Sequence, residues 1–429
     1  MATLETPKKL RELQRALYLR AKKEPSFRAY ALYDKVYRDD VLAHAYALAK
    51  ANGGVAGPDK ITFADIEASG SAAMLEELRE ELKTKRYRPG PVRRVYIPKS
   101  GGERPLGIPS IRDRVVQTAV KLIIEPLFEA DFDENSYGFR PKRNAHQALD
   151  AIREALDQGM NWVIDADIEA YFDTIPHDRL MKTVAERIVD GAMLALIKMF
   201  LEAPVVDERD DNRPRRNPKG TPQGGVISPL LANIYLDLLD RNFRRHVEEG
   251  KLSGRIVRYA DDLVLLSPEP PVREMSWMSQ LVTRLGLAFH PSKTRVLDAR
   301  RERFDFLGHA HRWQSQRLYL DISRKAKGRI RDELRRKTRR FWLSLEEMVA
   351  LLNPYIRGAR QYFRRVRRRT LSQLDTFVAV RIARWWARKH NARRPAWSLV
   401  QKEALFRHHG LERWDLPLAR RPADSRRAK

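Results

Sequence analysis

The stretch that decides the fold is "RYADDLVLL", residues 258–266, which sets Asp261 and Asp262 between an aromatic residue and an apolar run. The pattern predicts a strand, a tight bend and a second strand. Two adjacent carboxylates near a core are costly unless a partner compensates their charge. An ordinary solvated turn is the simpler interpretation, so a functional site here requires further acidic residues nearby.

A second acidic element, "VIDADIEAYFD" (residues 163–173), supplies them. Asp165 and Asp167 alternate with apolar residues along a predicted buried strand, so their side chains point to one face. If this strand lies beside the hairpin at 256–267, Asp167 and Asp261 meet. Carboxylates gathered at one point repel each other unless divalent cations lie between them. Mg²⁺ prefers oxygen ligands, and a pair of such ions binds both the attacking and the leaving oxygen of a phosphoryl transfer. The pattern therefore favours nucleotidyl transfer.

Between these two elements lies "GTPQGGVISPLLANIYL", residues 220–236. Gly224 and Gly225 leave no side chain between the backbone and a ligand. A long helix is predicted to begin near Ile227, and its first N–H groups form a favourable place for a phosphate. Taken alone, the glycine pair also fits a plain loop before a helix.

Charge is distributed unevenly along the 429 residues. The chain has 83 Lys and Arg against 56 Asp and Glu, and of its net charge of +27 residues 301–429 carry +23. Six of the eight Trp also lie beyond residue 300. Arg together with aromatic residues suits contact with phosphates and stacking on unpaired bases, so a polyanionic partner is expected.

Other classes are excluded by composition. Cys is absent, which excludes disulfides and thiolate metal sites. No apolar run is long enough for a membrane span, and the N-terminus lacks the apolar stretch of a secretory signal. A cytoplasmic protein without membrane association is therefore expected.

Coarse patterning predicts the fold class. Residues 91–110 alternate and break at a Ser-Gly-Gly sequence, which predicts a hairpin, and residues 113–128 have helical spacing with Asp113 as the predicted N-cap. Ser344 and Glu347 predict a capping box, and the pattern beyond residue 320 is helical. The prediction is an α+β protein whose mixed body precedes a basic helical bundle.

Seven segments, taken in order, resemble the sequence blocks of reverse transcriptases, and of the bacterial group II intron-encoded type in particular. They are "PVRRVYIPKSGGERPLGIPS", "SYGFRPKRNAHQAL", "DADIEAYFDTI", "GTPQGGVISPLLANIYL", "RYADDLVLL", "LAFHPSKTRVL" and "FDFLGH". "LLNPYIRGARQYFRR" and "LDTFVAVRIARWW" resemble the maturase, or thumb, domain of those proteins. The resemblance implies a right-hand polymerase fold, with fingers and an antiparallel palm sheet followed by an α-helical thumb/maturase domain. It implies four parts: an N-terminal extension (1–60), fingers and palm (61–310), thumb/maturase domain (311–400) and a basic, partly disordered tail (401–429).

The resemblance also implies roles for particular residues. Asp167, Asp261 and Asp262 are the implied catalytic triad, which with Ile168 forms a ligand set for two Mg²⁺ ions, Mn²⁺ being the alternative ion. Phe172 is implied to exclude a 2′-hydroxyl, although a core aromatic is the alternative interpretation. The other implied nucleotide-binding residues are Lys99, Arg104, Gln223 and Lys293, and the implied primer- or RNA-binding residues are Phe306, Leu307, Gly308, Arg357 and Arg364.

The predicted function is an RNA-directed DNA polymerase that adds dNTPs to a DNA primer on an RNA template. It is also predicted to act as a maturase that binds group II intron RNA and assists splicing and retrohoming. Two alternatives stay open at this point: a splicing chaperone without polymerase activity, and a reverse transcriptase of defence or repair that serves no intron. Without Cys, and with a chain that stops soon after the thumb, no zinc-dependent endonuclease module is expected. The oligomeric state is left open.

Overall fold

The structure, a computed structural model, describes residues 4–99, 102–210, 213–314, 317–392 and 404–415. Its contacts divide the chain into an N-terminal unit, Met1–Val296, and a C-terminal unit, Leu297–Lys429. The four functional parts and the boundaries given for them above stay predictions. Most of the predicted tail, 401–403 and 416–429, lies outside the described residues.

The N-terminal unit combines helices with two sheets. Its described helices are α1 (Lys8–Lys23), α2 (Tyr33–Val36), α3 (Asp39–Asn52), α4 (Phe63–Ser69), α5 (Ser71–Lys83), α6 (Ile111–Glu129), α7 (Ala145–Asp157), α8 (Tyr171–Thr174), α9 (His177–Ala185), α10 (Gly191–Glu202), α11 (Ser228–Glu248) and α12 (Val272–Arg284). Its described strands are β1 (Val92–Lys99), β2 (Gly102–Ile108), β3 (Trp162–Asp167), β4 (Val205–Asp207), β5 (Arg255–Tyr259), β6 (Asp262–Ser267) and β7 (Arg295–Asp298), the last of which spans the division between the units.

The four-stranded sheet has the order β5-β6-β3-β7, and its β3-β6 and β5-β6 pairs are antiparallel. The strand β6 is buried from Leu263 to Ser267, because it lies between two other strands and against the helices. One large apolar core gathers residues of α3, α6, α10 and α11 together with Ile164 and Leu265 of this sheet. The sheet therefore packs directly against the main apolar core.

The second sheet of this unit has the order β2-β1-β4. The strands β1 and β2 form the predicted antiparallel hairpin, with Arg93 opposite Ile108 and Lys99 opposite Gly102. The helix that follows it is confirmed, but its predicted cap is wrong. Ser110 caps α6 by accepting from the Asp113 N–H, whereas the buried Asp113 carboxylate accepts from the Tyr87 hydroxyl at 2.6 Å. Burial raises the pKa of Asp113.

The C-terminal unit begins with a small sheet and continues as helices. Its described strands are β8 (Phe304–Phe306), β9 (His309–Gln314) and β10 (Arg317–Ile322), and its described helices are α13 (Arg324–Lys337), α14 (Leu345–Tyr362) and α15 (Arg368–Lys389), with a π-helical turn at Ala404–His408. The predicted capping box of Ser344 and Glu347 is present at the start of α14. The α+β fold class and the helical C-terminal region are confirmed.

Two tryptophans of the C-terminal unit have a different role from the predicted one. Trp385 is 2% exposed and Trp414 is fully buried, and both belong to the core of this unit. They cannot stack on bases while the unit is folded. Trp342, in contrast, is 76% exposed, and Trp397 lies outside the described residues.

Candidate active site

The two acidic elements meet in the four-stranded sheet. Asp167, the last residue of β3, lies directly opposite Asp262, the first residue of β6, in an antiparallel ladder. Residues directly opposite each other present their side chains on the same face of the sheet, with Cβ atoms about 5 Å apart. Asp261 precedes this pair by one residue, in the turn between β5 and β6. The cross-strand partner of Asp167 is thus Asp262, while Asp261 lies in the turn.

The turn has an unusual backbone. Tyr259 pairs with Asp262, so only Ala260 and Asp261 connect the two strands, and Ala260 has φ of +59°. A non-glycine residue in this left-handed region is uncommon and is kept only when its surroundings stabilise it. Gly138 lies against the turn, because a Cβ there would come within 2.2 Å of the Ala260 nitrogen.

A returning segment brings a cation to the site. The Asp167 carbonyl accepts from the His290 N–H at 2.7 Å, and Ile168 bridges to Phe289, so residues 288–290 run alongside the end of β3. This segment positions Lys293, whose ammonium group lies 2.6 Å from Asp167 Oδ2. Asp165 lies two residues earlier in β3, and its Oδ2 is 3.2 Å from Arg295 Nε.

The donor set suits a hard divalent cation. The carboxylates of Asp167 and Asp262 on one face, with Asp261 next to Asp262 in the chain, are oxygen ligands of the kind that Mg²⁺ prefers. The Asp167 carboxylate also pairs with the Lys293 ammonium group. Across the described parts of the chain, no group of three or more His, Asp or Glu side chains that could hold a metal ion is found. Mg²⁺ is commonly bound by only one or two carboxylates, with waters and substrate phosphates as its other ligands. The side chain of Ile168 is apolar, so only its backbone carbonyl could take part.

The loop 220–225 connects the hairpin of β1 and β2 with the region of α8. The Thr221 N–H donates to the Phe172 carbonyl at 2.7 Å, and the Gly107 N–H donates to the Gln223 carbonyl. On the same hairpin, Arg104 Nε donates to Gln223 Oε1 at 2.6 Å. Two of the predicted nucleotide-binding residues, Arg104 and Gln223, are therefore in direct contact although 119 residues separate them.

The glycine pair in this loop serves packing. The space that a Cβ would occupy at Gly224 is filled by the Gly107 carbonyl at 2.3 Å, and at Gly225 it is filled by the Ser228 hydroxyl at 2.7 Å. The N–H group of Val226, just before α11, donates to Gln117 Oε1 at 2.9 Å. This N–H group is thus engaged by a protein side chain, where a phosphate contact was expected.

The remaining predicted residues fall in three settings. Phe172 lies in α8, is 6% exposed and belongs to the apolar core, which agrees with the alternative interpretation and leaves its role at the sugar a prediction. The side chain of Lys99 lies outside the described residues.

In the C-terminal unit, Leu307 and Gly308 form the turn between β8 and β9 with φ of +48° and +72°. The Leu307 carbonyl accepts from the Tyr362 hydroxyl at 2.9 Å, which ties this turn to α14.

Phe306, just before this turn, is 4% exposed and belongs to β8. Arg364 is exposed, two residues after the end of α14. Arg357 is more restricted, because its guanidinium lies 3.0 Å from Glu412. The primer- and RNA-binding roles given to these residues stay predictions.

Sequence reasoning missed a buried ion pair beneath the turn. Arg258 of β5 is fully buried, and its Nη2 lies 2.6 Å from Asp240 of α11. A signal for it exists in the sequence, since Arg258 interrupts an apolar strand, and Asp237 and Asp240 interrupt the apolar side of a helix at a spacing of three. Charges of opposite sign on two buried faces indicate a buried pair.

The family of the chain follows from comparison with known proteins. The family model described as reverse transcriptase (RNA-dependent DNA polymerase) matches residues 97–311, and the group II intron maturase-specific domain matches residues 327–403. The chain belongs to the reverse transcriptase family. It is an RNA-directed DNA polymerase by that membership, which also implies a divalent metal cation and nucleic-acid partners.

The chain is also similar to individual curated proteins and solved structures. Protein YkfC of Escherichia coli is 35% identical over 378 residues, which cover 79% of this chain and 96% of that protein. The group II intron-encoded protein LtrA of Lactococcus lactis is 38% identical over 212 residues, which cover 49% of this chain and 34% of LtrA. Among solved structures, telomerase from Candida albicans has a TM-score of 0.44 at 13% identity, covering 76% of this chain and 66% of that chain. Within the described residues, no helix is both long and apolar enough to cross a bilayer.

Proposed function

We propose that Asp167, Asp261 and Asp262 are the catalytic carboxylates of a reverse transcriptase that extends a DNA primer on an RNA template with dNTPs. The observation that carries the proposal is the pairing of Asp167 with Asp262 across β3 and β6, with Asp261 beside it. Two Mg²⁺ ions, when bound by these carboxylates and the Ile168 carbonyl, supply charge stabilisation at the attacking and leaving oxygens.

The residues of the chain act by positioning and by charge. The antiparallel ladder holds Asp167 and Asp262 at a fixed separation, so the ligand oxygens need little rearrangement before reaction. Lys293 lies 2.6 Å from Asp167 Oδ2, so its ammonium group is held beside the proposed metal-binding carboxylates. From there it could donate a proton to the leaving pyrophosphate.

The incoming nucleotide is proposed to bind between the hairpin of β1 and β2 and the loop 220–225. Arg104 and Lys99 bind its triphosphate through charge-assisted hydrogen bonds. The contact of Arg104 with Gln223 supports this, because it joins the hairpin to the loop at one point. Phe172, whose carbonyl accepts from the same loop, limits the space at the sugar and favours dNTPs.

The C-terminal unit is proposed to bind group II intron RNA as a maturase and to assist splicing and retrohoming. Its match to the maturase-specific domain and its charge support this role. The turn at Phe306, Leu307 and Gly308 is proposed to contact the primer, and Arg357 and Arg364 to contact RNA. Binding to the folded intron stabilises that fold by mass action, while the RNA performs the splicing chemistry. A cytoplasmic location fits this role and stays a prediction.

Primer extension on an RNA template tests the proposal. The unmutated protein is expected to extend a DNA primer with dNTPs and Mg²⁺, and Asp261→Ala and Asp167→Asn are expected to lower the rate at least about 100-fold. Asp165→Asn is the matched control, since Asp165 lies on the same strand and pairs with Arg295. No extension by the unmutated protein, or equal losses in all three variants, would contradict the proposal.

A further inference from the structure

A buried network lies directly beneath the turn that carries Asp261 and Asp262. Arg258 Nε donates to Asp240 Oδ2 at 2.8 Å, and Arg258 Nη1 donates to Asn233 Oδ1 at 2.9 Å. The same Nη1 donates to the Ala260 carbonyl at 3.0 Å. We name Arg258, Asp240 and Asn233 the anchor network; two of its members belong to α11 and the third to β5.

Burying this guanidinium is costly. Arg258 is fully buried and Asp240 is 4% exposed, and the desolvation of such a pair costs several kcal/mol before any attraction is counted. Burial disfavours the charge on Arg258, but Asp240 outweighs that effect and raises the guanidinium pKa. An apolar side chain would fill the same position on a buried strand at less cost, so stability alone does not account for the pair.

What the pair adds is a fixed backbone. The Ala260 carbonyl belongs to the peptide group between the two turn residues, and Ala260 has the strained left-handed conformation that needs support. Asn233 also donates to the Gly138 carbonyl at 2.8 Å, and Gly138 lies against the Ala260 nitrogen. The helix α11 is thus linked to the turn through Arg258 and through Gly138.

We infer that Arg258 is a positioning residue for catalysis. By holding the Ala260 carbonyl, it sets the angle at which Asp261 and Asp262 face Asp167, and it touches neither substrate nor metal. The inference rests on the proposed function in one respect only, namely that this turn carries catalytic carboxylates. A small misplacement of such groups costs one to two orders of magnitude in rate, which makes the role measurable.

The test uses the full chain with Arg258→Lys, which keeps the charge and loses the forked donor geometry. Arg187→Lys is the matched control, because Arg187 is also buried, also paired with an aspartate, Asp131, and holds the carbonyl of Phe27, away from the turn. Three quantities are measured: Tm, the kcat and dNTP KM of primer extension, and hydrogen exchange of residues 260–263 without substrate or metal.

Arg258→Lys is expected to lower kcat about tenfold or more, to change the dNTP KM less than about twofold, and to speed exchange in the turn about tenfold. Arg187→Lys is expected to lower Tm without changing kcat or exchange in the turn. Unchanged kcat and exchange in Arg258→Lys, or an equal loss of kcat in the control, would overturn the inference.

A second variant, Asp240→Asn, keeps the shape of the network and weakens its hold on Arg258. It is expected to change kcat and exchange in the same direction by a smaller factor, and it decides the question if Arg258→Lys does not fold. Failure of the unmutated protein to extend primers would instead contradict the proposed function. In that event the exchange measurement still shows whether Arg258 holds the turn, so the two failures are distinguishable.

Discussion

The ammonium group of Lys293 lies 2.6 Å from Asp167 Oδ2, across 126 residues of sequence. A cation of the protein therefore occupies a carboxylate that the proposed mechanism gives to a metal ion. A divalent cation at the same carboxylate oxygen would compete with this ammonium group. Metal binding and the position of Lys293 are therefore expected to be coupled.

Lys293→Met tests that coupling. The variant is expected to reach half-maximal activity at a lower Mg²⁺ concentration, because no ammonium group competes for Asp167. Its kcat is expected to fall at least about tenfold, because the proton donor to pyrophosphate is lost. Arg295→Met is the control, since Arg295 pairs with the neighbouring Asp165. Equal Mg²⁺ dependence in Lys293→Met and the unmutated enzyme would contradict the competition.

Arg104→Ala tests the nucleotide site. Loss of a charge-assisted contact to the triphosphate is expected to raise the dNTP KM about tenfold while kcat changes less. Arg209→Ala is a matched control, because Arg209 is an exposed arginine beside the same hairpin that pairs with Glu103 and lies 4.1 Å from the Tyr96 ring centroid. If both variants raised KM equally, the general charge of the hairpin would be responsible and Arg104 would have no special role.

Phe172→Val separates sugar selection from core packing. The residue belongs to the core, so the variant is expected to lose about 2 kcal/mol of unfolding free energy. If Phe172 also limits space at the sugar, incorporation of rNTPs relative to dNTPs should rise at least about tenfold. Tyr171→Phe provides the comparison, since it removes the buried hydrogen bond from Tyr171 to the Ala232 carbonyl. Loss of stability in both variants with unchanged selectivity would assign Phe172 to the core alone.

The buried Asp237 makes a pH-dependent contribution to stability. Burial, and then the neighbouring Asp240, raise its pKa to about 7. An unfolded Asp loses its proton near pH 4, so between pH 4 and 7 the folded protein holds a proton that the unfolded chain has released. This contribution is complete below pH 4, declines as pH rises toward 7 and is gone above it.

Asp237→Asn removes that contribution. Between pH 5 and pH 8, the variant is expected to lose less unfolding free energy than the unmutated protein, by on the order of 2–3 kcal/mol. Denaturant unfolding at four pH values measures it. Parallel curves for the two proteins would show that Asp237 is ionised throughout.

Salt dependence tests the RNA surface of the C-terminal unit. The affinity for intron RNA is expected to fall steeply with salt, and Arg364→Ala is expected to reduce the slope of log K against log salt by about one. Arg336→Ala should change the slope less, because Glu333 already binds that guanidinium through Nε at 2.8 Å and Nη2 at 2.6 Å. A flat salt response would contradict phosphate contacts as the source of affinity.

Elements with local signals were predictable from the sequence. The hairpin of β1 and β2 follows from its alternation, and the start of α14 from the capping box at Ser344. Long-range partners were not predictable, because a sequence pattern does not say which distant residue forms a hydrogen bond or an ion pair with a buried polar group. Asp is a common N-cap residue, yet the Asp113 carboxylate accepts a hydrogen bond from Tyr87, 26 residues away. The N-cap of α6 is Ser110 instead, whose hydroxyl accepts from the Asp113 N–H.

The site shows the same limit. From the pattern, the two acidic elements meet only if their strands lie side by side, and the structure shows that the strands pair. Which carboxylate faces Asp167 depends on the register of β3 and β6, and the two-residue turn makes it Asp262. In the sequence, Arg258 and Asp240 appear only as charged residues within otherwise apolar elements. Their ion pair is evident only from the structure, in which β5 lies against α11.

Gly138 has a consequence for engineering. Its missing Cβ leaves the space that the Ala260 nitrogen occupies, although 122 positions separate the two residues. A methyl group there would force the turn between β5 and β6 outward, so a laboratory search for faster or more stable polymerases should retain glycine at this position while randomising its surroundings. One added methyl group would thus reach the proposed catalytic carboxylates without altering a charged residue.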